Sequence, residues 1–127
     1  MIYFDGSSPK QIVCVSTSFG VYVKTLNEAL QLLDLDVEIP RTKSQRAEYV
    51  ALIYALSKIE DYAHHEIAGD CENVILQIQG INKVKDPTLR ILYAKAQKLI
   101  NTRGLDVSFR HILREDNPAG KRIEGWR

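Results

Sequence analysis

Two aspartates that each follow a short apolar run have the clearest chemical potential in this sequence. Asp5 comes directly after the β-branched and aromatic residues 2–4 and precedes a Gly-Ser pair typical of a turn. Asp70 follows the short run 66–69 in the same way. A carboxylate at the end of a buried strand costs free energy unless it is paired or binds a metal ion. The pattern therefore predicts a polar site where the ends of two strands meet.

A third carboxylate, Glu48, lies in the early turns of the most strongly predicted helix. The stretch from Gln45 to about Ala63 contains no glycine or proline, and Thr42 or Ser44 is suited to cap it. Residues 50–56 are apolar nearly all round, which predicts a helix buried on most faces. On these grounds Glu48 either favours the helix dipole or joins the two aspartates, and both readings stay open.

The first forty residues predict three strands. After the strand that precedes Asp5, residues 12–23 form either one long strand kinked near Gly20 or a hairpin. Residues 26–39 are ambiguous, because 27–30 could open a short helix whereas 33–39 alternate apolar and acidic residues. We interpret 33–39 as the third strand, ending before Pro40. Its solvent face would carry three acids: Asp34, Asp36 and Glu38.

The second half of the chain alternates strands with helices. The expected order is the strand 66–69, helices over 71–79 and from the Asp86-Pro87 cap to Gly104, the strand 105–109, and a short helix from about Ala119. Such alternation implies parallel pairing through right-handed crossovers, while short connections in the first half imply antiparallel pairing. We therefore predict a single α/β domain over residues 1–127. Its mixed five-stranded sheet, three antiparallel strands followed by parallel additions, is flanked by helices, with Asp5 and Asp70 at neighbouring strand ends.

Composition indicates an ordinary globular protein. The chain has 127 residues, 45% hydrophobic and 26% charged, and a net charge of +1, so any argument for nucleic-acid binding needs a local patch. Its two cysteines, Cys14 and Cys71, lack metal-ligand spacing and suggest no disulfide framework. We find no secretory signal and no apolar run approaching about 18 residues. We therefore expect a cytoplasmic protein without membrane association.

Several short motifs, taken in order, resemble the ribonuclease H superfamily, specifically type 1 ribonucleases H and reverse-transcriptase-like RNase H domains. The similarity extends over nearly the whole chain. It is carried by Tyr3-Phe4-Asp5-Gly6-Ser7, Ala47-Glu48-Tyr49 with Ala51-Leu52, Gly69-Asp70 leading into Val74-Ile75 and Gln79-Gly80, and Arg114-Glu115-Asp116-Asn117. The resemblance implies an RNase H-like fold. It also implies a metal-dependent endonuclease that hydrolyses the RNA strand of RNA–DNA hybrids without sequence specificity.

The resemblance also implies a set of site residues. Asp5 would bridge two divalent cations, Mg²⁺ or Mn²⁺, while Glu48 and Asp70 would complete the ligation of one of them. One ion would activate the attacking water and the other would stabilise the leaving oxygen. His111 stands six residues before Asn117, the interval seen in type 1 enzymes, so it either moves a proton and helps product leave or is an ordinary histidine at a strand end.

One position departs from the family pattern. The fourth carboxylate of the family follows the asparagine by four residues, and this chain has Lys121 there. Asp116 or Glu124 could supply the missing oxygen, which would allow two ions. Alternatively, the Lys121 ammonium stands where the nucleophile-side metal would sit and leaves one ion, or the site binds nucleic acid without cutting it.

A basic segment gives the local hint of nucleic-acid binding. Residues 80–103 include six basic residues and a single acid, Asp86. Lys95 and Lys98, three residues apart, would share a helix face. The candidate contacts are Lys83, Lys85, Lys95 and Lys98, with possible donors beside the aspartates at Gly6, Ser7, Cys71 and Asn73. A solvated face is the other interpretation. The rival functions are a non-catalytic nucleic-acid-binding module and a protein-interaction or dimerisation domain, and the oligomeric state stays open.

Overall fold

The computed structural model describes residues 1–125. Five strands and five helices follow one another in the order β1 (Ile2–Ser7), β2 (Ile12–Thr17), β3 (Gly20–Thr25), α1 (Leu26–Leu32), α2 (Ser44–Ser57), β4 (His65–Gly69), α3 (Glu72–Ile78), α4 (Pro87–Arg103), β5 (Val107–His111) and α5 (Pro118–Glu124). A single 3₁₀ turn, Arg114–Asp116, lies between β5 and α5.

The strands form one sheet in the order β3-β2-β1-β4-β5. The pairs β1–β2 and β2–β3 are antiparallel, and β4 pairs in parallel with both β1 and β5. The prediction of a mixed five-stranded α/β sheet flanked by helices is therefore confirmed. Because β1 and β4 run parallel to each other, their carboxyl ends lie at the same edge of the sheet.

The prediction of a strand over 33–39 is wrong. Residues 12–25 form a hairpin that supplies both of the remaining antiparallel strands, and α1 follows at once, with Thr25 and Glu28 forming a reciprocal capping box. Residues 35–40 are assigned to no helix or strand. Asp34 has a φ of 55°, a left-handed conformation that interrupts an extended run. The alternation of apolar and acidic residues over 33–39 follows their burial instead, because Leu33 and Ile39 are buried and the acids between them are exposed.

Helix α2 is the centre of the core. Every residue from Ala47 to Leu56 is buried, and the helix packs across β1 and against α4. Its bounds differ from the prediction. Neither Thr42 nor Ser44 caps it, because Lys43 is the N-cap residue and makes no side-chain cap bond, and the helix ends at Ser57 rather than near Ala63. Glu48 therefore lies in a completely buried stretch.

The second half follows the prediction closely. Asp86 caps α4 by accepting from the Leu89 amide at 3.0 Å, Pro87 is the first helical residue, and Gly104 ends the helix with φ 60°. Strand β5 begins two residues later than expected, at Val107. Within residues 1–125, no helix combines the length and apolar character needed to cross a bilayer.

Candidate active site

The sheet and α2 bring three carboxylates together. Asp5 lies in β1, Asp70 follows the end of the parallel neighbour β4, and Glu48 projects from the second turn of α2, which lies across β1. Each offers one oxygen, and these oxygens all lie within 4.8 Å of one another. Asp5 is 1% exposed and Glu48 5%. The three acids that sequence analysis singled out thus form one cluster at the edge of the sheet.

Gly6 sets the distance between β1 and α2. A Cβ atom at this position would lie 2.2 Å from the carbonyl oxygen of Ala47, so only glycine permits this contact without movement of the backbone. The Gly6 amide donates a 2.6 Å hydrogen bond to Oε1 of Glu48. Strand β1 therefore carries Asp5 and also orients Glu48. The Gly6 N–H, predicted from the sequence as a donor to nucleic acid, is bonded to Glu48 instead.

Glu48 is buried with half of its carboxyl group unpaired. Its Oε2 has no hydrogen-bond partner among the described residues. Burial raises the pKa of Glu48 well above its ordinary value, and the neighbouring Asp5 raises it further. Burial also raises the pKa of Asp5, opposed by its interaction with Glu48 and reinforced by Asp70. Crowded, dehydrated carboxyl groups retain a proton unless a cation replaces it, so this oxygen-only set fits a hard divalent ion.

Asn117 holds Asp70 in place. Its side chain is fully buried, and its Nδ2 donates to the carbonyl oxygen of Phe4 at 3.0 Å and to Oδ2 of Asp70 at 2.9 Å. Its Oδ1 accepts from the Ala119 amide and caps α5. One side chain therefore ties the start of α5 to β1 and to the carboxylate that follows β4.

Arg114 brings a positive charge to the cluster. Its Nη1 lies 3.2 Å from Oδ2 of Asp5 and 3.5 Å from Oδ2 of Asp70, while its Nε donates to Oε1 of Glu124 at 3.0 Å. About half of the side chain is exposed. The cation that meets the acids is thus an arginine from the 3₁₀ turn.

Lys121 is exposed on α5 and forms no ion pair within residues 1–125. The hypothesis that its ammonium lies among the acids is therefore not supported by this arrangement. The two candidate substitutes for the fourth carboxylate, Asp116 and Glu124, are also exposed and lie outside the described three-acid cluster. Glu124 is instead the partner of Arg114.

The remaining predicted residues surround the cluster without joining it. His111 ends β5, exposed, with Nδ1 3.9 Å from Oε2 of Glu72. Ser7 accepts from the Lys10 amide at 3.2 Å. Burial raises the pKa of Cys71. Asn73 donates to the Gln45 side chain at 3.0 Å and accepts from Asn82 at 3.4 Å, so its side chain is bonded to two neighbouring amides.

Two adjoining grooves carry the basic residues of the 80–86 loop. The larger, of about 760 Å³, is lined by Lys83, Lys85, Arg90 and Tyr93 among others. The second, of about 560 Å³, shares both lysines and continues to Gln45 and Asn73, close to the acid cluster in sequence. Lys98 is exposed on α4 and Lys95 is half-buried there, and neither of these two predicted contacts lines either groove.

A family model described as Reverse transcriptase-like matches residues 19–121, which is most of the chain. The chain belongs to this family. The matched range contains Glu48, Asp70, Arg114 and Asn117, and Asp5 precedes it. Among curated proteins, none matches the chain significantly.

Solved structures of type 1 ribonucleases H share the fold. LC11-RNase H1, isolated from compost by a metagenomic approach and crystallised with an RNA/DNA hybrid, is 27% identical with a TM-score of 0.71, over 96% of this chain and 91% of that one. RNase H1 from the archaeon Halobacterium salinarum is also 27% identical, with a TM-score of 0.70 and the same coverage. The N-terminal RNase H domain of Rv2228c from Mycobacterium tuberculosis, at 23% identity, TM-score 0.67 and coverage of 96% and 94%, has a similar fold. The resemblance to the ribonuclease H superfamily is confirmed.

Sequence reasoning gave no role to two residues of the site. Asn117 and Arg114 appeared only as parts of a matching motif. The Asn-Pro pair 117–118 does carry a helix-start signal, which places Asn117 at the N-cap position of α5. No local pattern points Arg114 inwards, because its contacts with Asp5 and Asp70 span 109 and 44 residues of sequence.

Proposed function

We propose that this protein is a divalent-metal-dependent endonuclease that hydrolyses the RNA strand of RNA–DNA hybrids without sequence specificity. The observation that carries the proposal is the convergence of Asp5, Glu48 and Asp70, with Oε2 of Glu48 buried and unpartnered among the described residues. The family membership and the similarity to two RNases H1 support the same reaction class.

The chain's own residues would build the site in a definite way. Asp5, Glu48 and Asp70 would hold Mg²⁺ or Mn²⁺, with Gly6 fixing Glu48 and Asn117 fixing Asp70. A bound divalent ion supplies Lewis acidity towards water and the scissile phosphate. The basic grooves would attract the backbone of the hybrid, and the exposed His111 lies at the end of β5 as a candidate proton carrier.

The test is cleavage of a labelled hybrid by the wild type and by Asp70→Asn. Asparagine can still accept the hydrogen bond from Asn117 but loses the charge that a hard cation needs. We expect the rate in Mg²⁺ or Mn²⁺ to fall by more than about 100-fold, beyond the usual effect of losing an outer partner of a metal ligand.

The matched control is Asp36→Asn, the same change at an exposed acid of the unpaired 35–40 segment. It should cleave like the wild type. Intact hybrid at high enzyme concentration with Mn²⁺ contradicts the proposal, as does equal activity in Asp70→Asn. If the hybrid is bound but never cut, the protein is the non-catalytic binding module instead.

A further inference from the structure

Arg114 is fixed against the acid cluster from both sides. Its Nη1 contacts Oδ2 of Asp5 and Oδ2 of Asp70, and its Nε is bonded to Oε1 of Glu124. A guanidinium is planar and always charged, so the bond to Glu124 also sets the direction in which Nη1 points. The acids therefore have a permanent positive neighbour built into the chain.

Gly120 provides the space for this contact. A Cβ atom at residue 120 would lie 3.2 Å from Oδ2 of Asp70, 3.4 Å from Oδ2 of Asp5 and 3.6 Å from Cζ of Arg114. Helix α5 thus packs directly onto the same two oxygens that the guanidinium contacts. The unpartnered Oε2 of Glu48 lies in the same cluster but has no bond to Arg114.

We infer that Arg114, anchored by Glu124, is a built-in counter-cation on the α5 side of the cluster, and that the site takes up one divalent ion rather than two. This inference rests on the metal site of the proposed function and specifies its stoichiometry. The guanidinium already contacts oxygens of Asp5 and Asp70 on this side of the cluster. On the α5 side Lys121 stands at the position of the family's fourth acid, Glu124 is bonded to Arg114, and the exposed Asp116 lies outside the described three-acid cluster.

The experiment is calorimetric titration of the intact protein with MnCl₂ alone. The wild type should bind one ion per chain. In Arg114→Gln the stoichiometry should stay at one and the affinity should rise about tenfold, because a positive charge 3.2 Å from Oδ2 of Asp5 and 3.5 Å from Oδ2 of Asp70 is removed at a half-exposed site. Arg114→Lys retains the charge but cannot contact Glu124 and the aspartates with one planar group, so its affinity should fall between those of the wild type and Arg114→Gln.

Arg110→Gln is the matched control, because Arg110 is an exposed arginine of β5 that pairs with Glu66 at 3.5 Å, away from the acids. It removes the same net charge and should leave Mn²⁺ affinity unchanged. The rise in unfolding temperature on adding Mn²⁺ should rank the variants in the same order, which also verifies that each is folded.

Three results would overturn the inference: two ions bound to the wild type, no gain in affinity in Arg114→Gln, or an equal gain in Arg110→Gln. None of these measurements depends on cleavage. One bound ion in a protein that cuts no hybrid would sink the proposed function and keep the inference, whereas hybrid cleavage with two bound ions would do the reverse.

Discussion

At the scale of single residues, the buried Glu48 would couple the proposed metal binding to the stability of the fold. Burial and the nearby Asp5 raise its pKa in the folded chain. A carboxyl group with a raised folded pKa contributes stability that is fully present below the unfolded pKa and is lost as pH rises through the folded pKa. Without metal, this contribution should therefore favour the folded state in acidic solution and be lost as the pH rises through the raised pKa of folded Glu48.

Glu48→Gln should remove most of this pH dependence. A glutamine Oε1 can still accept from Gly6, while its neutral amide can donate to Asp5. In EDTA, once the pH exceeds the raised pKa of folded Glu48, we expect the variant to be more stable than the wild type by about 1–3 kcal/mol, the usual cost of a buried unsatisfied group.

Urea unfolding in EDTA between about pH 4 and 8 measures this difference. The control is Glu60→Gln, the same change at an exposed residue. Added Mn²⁺ should stabilise the wild type and not Glu48→Gln. A variant less stable than the wild type at every pH would show that Glu48 is a structural residue whose charge the fold requires.

The positions of the acids could be predicted from the sequence, but the side chains that contact them could not. Asp5 lies in a recognisable strand and Asp70 directly follows one, so their positions can be predicted from local patterns. Arg114 lies in an irregular turn after β5, and its direction depends on the packing of α5 against β1. Long-range side-chain contacts of this kind leave no periodic signal in a sequence, so the contact of Arg114 with the aspartates could not be predicted.

At the scale of elements, the contact between β1 and α2 positions two of the three acids. Gly6→Ala would place Cβ 2.2 Å from the Ala47 carbonyl oxygen and 2.9 Å from the Glu48 amide nitrogen, both backbone atoms that cannot rotate away. We expect a loss of about 3 kcal/mol or more in unfolding free energy, at or above the upper range of overpacking. Hybrid cleavage should fall as well, because Glu48 moves with α2.

Chemical denaturation and the hybrid assay test this together. Gly125→Ala is the matched control, because its Cβ would meet its nearest neighbours at an ordinary 3.8 Å. Stability and activity of Gly125→Ala should match the wild type. A fully stable Gly6→Ala would mean that the β1–α2 distance can relax and does not set the site.

The bounds of helices were predicted correctly where local backbone chemistry alone sets them. The Asp86-Pro87 start and the Gly104 end of α4 are local backbone chemistry, and both are confirmed. Residues 33–39 failed because alternation reports only which side chains face the core, and an extended segment can satisfy it without pairing to a sheet. Strand β3, the second strand of the hairpin, is the third antiparallel strand instead.

At the scale of the whole molecule, a net charge of +1 conceals an uneven distribution. The acids gather at the sheet edge, while Lys83, Lys85 and Arg90 line a groove of about 760 Å³ beside α4. A second groove is lined by the same two lysines and by Gln45, which lies three residues before Glu48 in the sequence. A hybrid drawn to the basic side would therefore have its backbone led towards the carboxylates.

This arrangement predicts the salt dependence of binding, measured in the Asp70→Asn background so that the hybrid stays intact. Removing one lysine that binds a phosphate should lower the slope of log affinity against log salt by about 0.9 and weaken binding to hybrids of every sequence. Lys85→Gln should show that change. Lys24→Gln, which removes the same charge from the edge strand β3, should not. Equal slopes for the two variants would mean that the hybrid does not occupy the grooves and that net charge alone governs its approach.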